Sequence, residues 1–175
     1  MNLYTAYYLS PLGPLRIQCT DKHIKAVLFC REEDVQANEE HKLLQTCARQ
    51  LEEYFAGKRR NFHLPLNQDG TGFQVKVWNL LEQIPFGKTI SYHKLSGQYG
   101  DLKAIRAVAS ANGKNNIAII VPCHRVIGSD HSLVGYAGGL WRKKWLLEHE
   151  ARYFHGVQQL GFQQLTDDSD EISSR

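Results

Sequence analysis

Apolar residues in the first 30 positions fall into three short runs, 3–9, 14–19 and 24–30, rich in Leu, Ile, Val, Tyr and Phe. The turn-forming segments SPLGP and TDKH separate them, which predicts an antiparallel meander. The period then changes. In NEEHKLLQTCARQLEEYFAGK, residues 38–58, Leu44, Cys47, Leu51 and Tyr54 recur at steps of three and four. That is one apolar stripe of a helix, with Gly57 as its stop signal. On this reading Cys47 is a small buried apolar residue. Residues 57–72 show neither period and read as a connection between two modules.

The second half opens with FQVKVWNLLEQIPFGK, in which Val77, Leu81 and Ile84 line one helical face and Pro85 with Gly87 end it. Two short helical stretches follow, SYHKLSGQYG and KAIRAVASANG, separated at Gly100 and Asp101. Two short helices about a tight glycine-containing turn suggest a helix-turn-helix. NIAIIV, residues 116–121, reads as a buried strand leading into PCHRVIG, and LWRKKWLLEHEA reads as a last helix. The expected class is α+β. An antiparallel sheet with one helix, residues 1–66, packs on a mainly helical module, residues 67–155, and a polar acidic tail expected to be mobile fills 156–175.

Composition sharpens this picture in two places. The apolar share of 42% supports a packed core. No apolar run approaches the roughly 20 residues of a membrane span, and MNLYTAYYLS has no signal-peptide character, so a cytoplasmic location without membrane contact is expected. Charge is uneven. Residues 1–72 hold nine basic and nine acidic side chains, whereas residues 73–155 hold eleven basic and five acidic, a net of +6. A basic helix-turn-helix module points toward nucleic acid, although on charge alone a generic solvated surface is the better reading. Of four cysteines, none forms a CxxC, and in the expected cytosolic setting thiols stay reduced, so a disulfide framework is not expected. Cys19, His23 and Cys30 lie close together but match no common zinc spacing, and no metal is expected.

The candidate chemistry lies in IIVPCHRVIG, residues 119–128. A thiol reacts as its thiolate and needs a base, and an imidazole supplies one. In an extended strand Cys123 and His124 would point to opposite faces. Pro122 breaks that pattern and lets a turn bring both toward one cavity. A third group should orient the ring, and Glu148 or Glu150 on the last helix could reach it. On the dipeptide alone, a buried inert cysteine beside a surface histidine is the better reading, since cysteine is commonly buried; the context decides.

In this context IIVPCHRVIG resembles the active-site signature of the O6-alkylguanine-DNA alkyltransferases, the methylated-DNA–protein-cysteine methyltransferases. FQVKVWNLLEQIPFGKTISYHKLS, AIRAVASANGKN and GYAGGLWRKKWLLEHE resemble further segments of that family, in the same order. The likeness spans 73–152 strongly; over 1–66 it rests on SPLGPL and YFAG.

The resemblance implies that Cys123 accepts the alkyl group, that His124 deprotonates it through a water, and that Glu150 orients His124. Tyr92 is implied to protonate the departing guanine, and Arg106 to fill the gap left when the base is flipped through the minor groove, with small residues such as Ala107 around it. Asn112, Asn115, His93 and Ser129 join the implied DNA-binding set, Asn115 as the tie between the helix-turn-helix and the active-site loop. Val126, Tyr136, Ala137 and Gly138 are implied to line the substrate pocket. Lys143 matches a family lysine near it, a solvated helix lysine being the other reading. Transfer to a thioether is implied to be irreversible, one event per molecule, with no cofactor. The expected partner is duplex DNA carrying O6-alkylguanine, with O4-alkylthymine a further candidate lesion. The protein is expected to be a monomer that can cluster on DNA.

Departures from the family pattern are Asn116 and Leu102 where many members have proline, Ala137 for a serine, and Ala118 where some carry proline. The last suggests a wider pocket. Rival readings are a cysteine hydrolase, which leaves the helix-turn-helix unexplained, and a non-catalytic reader of damaged DNA, which leaves Cys123 unexplained.

Overall fold

The computed structural model describes residues 1–154, so the tail expected over 156–175 lies outside the described residues. Strands β1 (Tyr4–Ser10), β2 (Gly13–Cys19) and β3 (Ile24–Phe29) form the expected antiparallel meander in that order. Alternate residues turn inward: Ala6, Leu15, Ile17 and Val27 are buried. Helix α1 (Lys42–Phe55) lays Leu44, Cys47, Leu51 and Tyr54 against the rest of the core, all of them buried. His41 starts it, its Nδ1 accepting from the Leu43 N–H at 3.1 Å, and Gly57 stops the chain at φ +75°.

The second module begins with α2 (Gly72–Glu82), capped by Thr71, whose hydroxyl accepts from the Gln74 N–H while the Gln74 side chain accepts from the Thr71 N–H. Helices α3 (Tyr92–Tyr99) and α4 (Ile105–Gly113) form the helix-turn-helix, with Gly100 at φ +105° and Asp101 accepting from the Lys103 N–H. Trp78 on α2 fixes α4 by donating its Nε1–H to the Ala111 carbonyl at 2.9 Å. A two-residue strand β4 (Ile90–Ser91) pairs parallel with β5 (Val126–Ile127), and α5 (Leu140–Phe154) closes the described chain. No helix among the described residues is long and apolar enough to cross a membrane.

The expected strand over 116–121 is corrected. Residues 117–121 are buried, but only Ile117 joins a ladder, bridging Val27 of β3. Beyond it the backbone coils, with Ile119 at φ +71° and the Val121 N–H donating to the Ile117 carbonyl. The apolar run recorded burial, and burial was achieved without extension. The Val27–Ile117 bridge nevertheless matters for the site. It joins the first module's sheet directly to the segment that leads into Pro122 and Cys123.

Candidate active site

Pro122 precedes a single 3-10 turn, Cys123–Arg125, so adjacent side chains are freed from strand alternation. Cys123, His124 and Arg125 are all buried. Asn115, at the end of the helix-turn-helix, secures this turn. Its Nδ2 donates to the Val121 carbonyl at 2.8 Å and lies 3.3 Å from Cys123 Sγ, while its Oδ1 accepts from the Ile117 N–H at 3.0 Å. Asn112 on α4 reaches the Cys123 carbonyl and the Tyr92 hydroxyl, each at 3.4 Å. Both asparagines were grouped with the DNA-binding residues; both are buried, and these bonds run inward to Cys123 and its surroundings.

His124 Nε2 lies 2.7 Å from Glu150 Oε1 on α5. A carboxylate only accepts, so Nε2 carries the proton and Nδ1 is left as the basic nitrogen. That Nδ1 is buried and has no protein partner among the described residues. Burial pushes His124 below its usual range and outweighs the opposing pull of Glu150, so the ring is a neutral imidazole. Burial alone would raise Glu150, but His124 and Arg125 overcome it and hold the carboxyl well below the usual carboxylate range. Arg125 binds Glu150 in a two-pronged manner, Nε to Oε2 and Nη2 to Oε1, both at 2.9 Å. Glu148, the alternative orienting acid, is exposed and 3.8 Å from Lys144.

Cys123 lines a cavity of about 100 Å³ together with Leu28, Phe29, Ala118, Tyr136, Ala137 and Gly138. Burial raises the thiol, while the Asn115 side chain and Lys143 act in the opposite direction. Glycine at 138 leaves room for the ring walls: an added Cβ would sit 2.9 Å from both Phe29 Cδ2 and Tyr136 Cε1, so one of the rings would have to shift. Lys143 is fully buried, which rules out the solvated reading. Its Nζ donates to the carbonyls of Val134 and Gly135 at 2.9 and 3.2 Å and so ties down the loop that walls the cavity. Burial lowers Lys143 to about 8, against the opposing pull of Cys123. Val126 is buried in β5, and its N–H donates to the Cys123 carbonyl.

Beside this cavity runs an open groove of about 420 Å³ between α4 and the 128–135 loop, lined by Tyr92, Ile105, Arg106, Ser129, Val134 and Gly135 among others. Gly135 lines both spaces. Arg106 and Ser129 line this groove, Ala107 and His93 are exposed as well, and no protein acceptor holds the Arg106 guanidinium among the described residues. Tyr92 donates its hydroxyl to the Val134 carbonyl at 3.2 Å, and burial raises its pKa. Among the described residues no group of three His, Cys, Asp or Glu side chains is placed to hold a metal ion.

Two members of the site escaped the sequence reading. Arg125 stands inside the quoted motif but had no assigned role. Tyr54 donates its hydroxyl to Glu150 Oε1 at 2.8 Å from the first module. A heptad-like stripe announces that ring as core and gives no signal for its hydroxyl.

Comparison with known proteins gives a consistent picture. A family model described as the DNA binding domain of 6-O-methylguanine DNA methyltransferase matches residues 72–152, and one described as its ribonuclease-like domain matches residues 3–68. A methylated-DNA–protein-cysteine methyltransferase of Methanosarcina acetivorans is 42% identical over 153 residues, covering 85% of this chain and 98% of the relative. A constitutive one from Bacillus subtilis is 46% identical over 146 residues, covering 79% and 88%. Among solved structures, the Mycobacterium tuberculosis enzyme in complex with DNA superposes with a TM-score of 0.78 at 40% identity, covering 85% of this chain and 93% of that one. Matched along both modules and in fold, the chain belongs to the O6-alkylguanine-DNA alkyltransferase family, the methylated-DNA–protein-cysteine methyltransferases.

Proposed function

We propose that this methyltransferase repairs duplex DNA by moving the alkyl group of O6-alkylguanine, and secondarily of O4-alkylthymine, onto Sγ of its own Cys123. The observation that carries the reading is the pairing of a thiol at a small, largely apolar cavity with a neighbouring neutral imidazole whose proton is held on Nε2 by Glu150. His124 Nδ1 takes the thiol proton through an intervening water. The sulfur then attacks the alkyl carbon, the carbon–O6 bond breaks, and Tyr92 gives its proton to the guanine ring as the base departs. Asn115 Nδ2 and the Lys143 ammonium offset the negative charge that builds on sulfur.

The target atom is stacked inside the duplex, so the nucleotide has to leave the helix at a cost of a few kcal/mol. Arg106 enters from the minor groove to hold the gap, and the small Ala107 and Ser110 beside it permit close approach. The extruded base crosses the groove at Tyr92 and Gly135 to reach Cys123. For the Cys123 carbonyl to accept from the guanine amine, the 3.4 Å bond from Asn112 yields. The Ala137 N–H donates to O6. The product is a thioether that no neighbouring group cleaves, so each molecule reacts once, as a monomer in the cytoplasm and without a cofactor.

The test is duplex DNA bearing a labelled O6-methyl group. One mole of label per mole of protein is expected, with none on Cys123→Ala. Arg106→Ala should slow transfer from duplex more than from the free base. Label recovered on another residue, or catalytic release of methanol, overturns the reading.

A further inference from the structure

Glu150 does not serve His124 alone. Its Oε1 accepts from His124 Nε2 at 2.7 Å, Tyr54 Oη at 2.8 Å and Arg125 Nη2 at 2.9 Å. Its Oε2 accepts from Arg125 Nε at 2.9 Å and the Gly87 N–H at 3.2 Å. Four of these bonds arise within the second module. The fifth comes from α1 of the first, and both Tyr54 and Glu150 are buried. The Tyr54 ring is already packed among Phe55, Phe62, Phe86 and His149. Phenylalanine would fill that space as well, without a buried hydroxyl that must find an acceptor.

We propose that Tyr54 is a positioning residue of the transfer relay, its hydroxyl competing with His124 for one oxygen of Glu150 and so setting how strongly that carboxylate draws on the imidazole. The inference rests on the reading of His124 as the base. Each donor to Oε1 neutralises part of the charge that Nε2–H would otherwise feel. With the hydroxyl gone, the carboxylate pulls harder on Nε2–H and Nδ1 becomes more basic. The other titratable and charged groups facing the pair are Arg125 and Cys123 on the turn, Lys143 and His149 on α5, and Tyr136 on the preceding loop. Tyr54→Phe alters none of them.

The experiment measures the rate of transfer from O6-methylguanine duplex against pH. In Tyr54→Phe the rising limb, which follows loss of the His124 proton, is expected to move to higher pH by about half a unit, an order-of-magnitude figure for one shared hydrogen bond, with duplex affinity unchanged. A profile that superposes on the wild type, or moves to lower pH, overturns the inference, whatever happens to the melting temperature. In a Glu150→Gln background the same substitution should move nothing; a persisting displacement also counts against it. In the unaltered protein, the Tyr54 ring carbon bearing the hydroxyl should shift in NMR with the midpoint of His124, and indifference to that titration contradicts the proposal. Should His124→Gln leave the wild-type profile intact, the base reading fails first and this inference falls with it.

Discussion

Replacing Glu150 with glutamine keeps the shape of the side chain and removes its charge. Arg125 is then left with a buried guanidinium, its side chain 7% exposed, whose other protein acceptor is the Ile84 carbonyl at 2.6 Å. The new amide also presents N–H groups to donors that had faced an oxygen. Breaking a buried pair from one side costs about 3–5 kcal/mol. In a chain of this size each kcal/mol moves Tm by roughly 2–4 °C, so a fall of roughly 6–20 °C is expected. Acid should narrow the gap. Glu150 in the folded protein lies well below its unfolded value, near 4.3, because His124 and Arg125 outweigh burial. A depressed folded pKa gives stability that is full above the unfolded value and lost as pH falls below it. Denaturant titrations should therefore show a constant wild-type advantage between pH 6 and 8 that shrinks below about pH 4. Transfer should slow by about 10²-fold or more, since His124 loses the acceptor that fixes its tautomer. A stability loss under about 1 kcal/mol at pH 7, or a gap unchanged in acid, refutes this account of the pair.

Three further outcomes follow from the same geometry. Asn115→Ala leaves the Ile117 N–H without its acceptor and takes one of two donors from the Val121 carbonyl, which keeps the Cys123 N–H, and should cost about 2 kcal/mol, slowing transfer with duplex affinity intact; a parallel loss of affinity would mean the side chain reaches DNA after all. Gly138→Ala places a methyl 2.9 Å from Phe29 and Tyr136, so competition assays should show O6-benzylguanine rejected more strongly than O6-methylguanine, and an equal loss on both contradicts the cavity wall described. The small Ala118 borders the same cavity, so the unaltered protein should accept the benzyl compound and Ala118→Val, which keeps the N–H that bonds the Val27 carbonyl, should accept it less; refusal by the unaltered protein ends that idea.

The elements with one buried face were the most legible in the sequence. Leu44, Cys47, Leu51 and Tyr54 keep a helical step because α1 has one dry side, and the meander alternates for the same reason. The apolar run 117–121 offers no period to read, because every residue in it is buried and an enclosed segment carries none. Its turn at Ile119 was also concealed, since a β-branched residue is the last choice for positive φ. Within the site, the adjacency of Cys123 and His124 is visible as a dipeptide, and Glu150 by resemblance. The inward aim of Asn112, the burial of Lys143 and the two-pronged Arg125–Glu150 pair were not, because each depends on which helix passes behind the turn. Tyr54 stands 96 positions from Glu150, a separation across which no local pattern carries information.

The directions of the perturbed groups also say how the thiol is kept at rest. Burial raises Cys123 and lowers His124, so near neutral pH both are uncharged. A permanent thiolate–imidazolium pair would have to bear desolvation of two charges in a small apolar cavity. The uncharged pair avoids that cost, yet the groups that would meet a negative sulfur are already in place. Asn115 Nδ2 lies 3.3 Å from Sγ, and Lys143, lowered to about 8, is still mostly an ammonium at pH 7. Donors fixed before the charge appears need no reorganisation when it does, so their stabilisation acts on the transition state more than on the resting thiol. Glu150 is the counterweight. In the mechanism proposed above, this carboxylate, ionised and holding five hydrogen bonds, stabilises the imidazolium at the moment the proton moves. Reactivity on this account is conditional on an alkyl carbon being held against the sulfur, which lets a buried cysteine be inert in storage and nucleophilic in use.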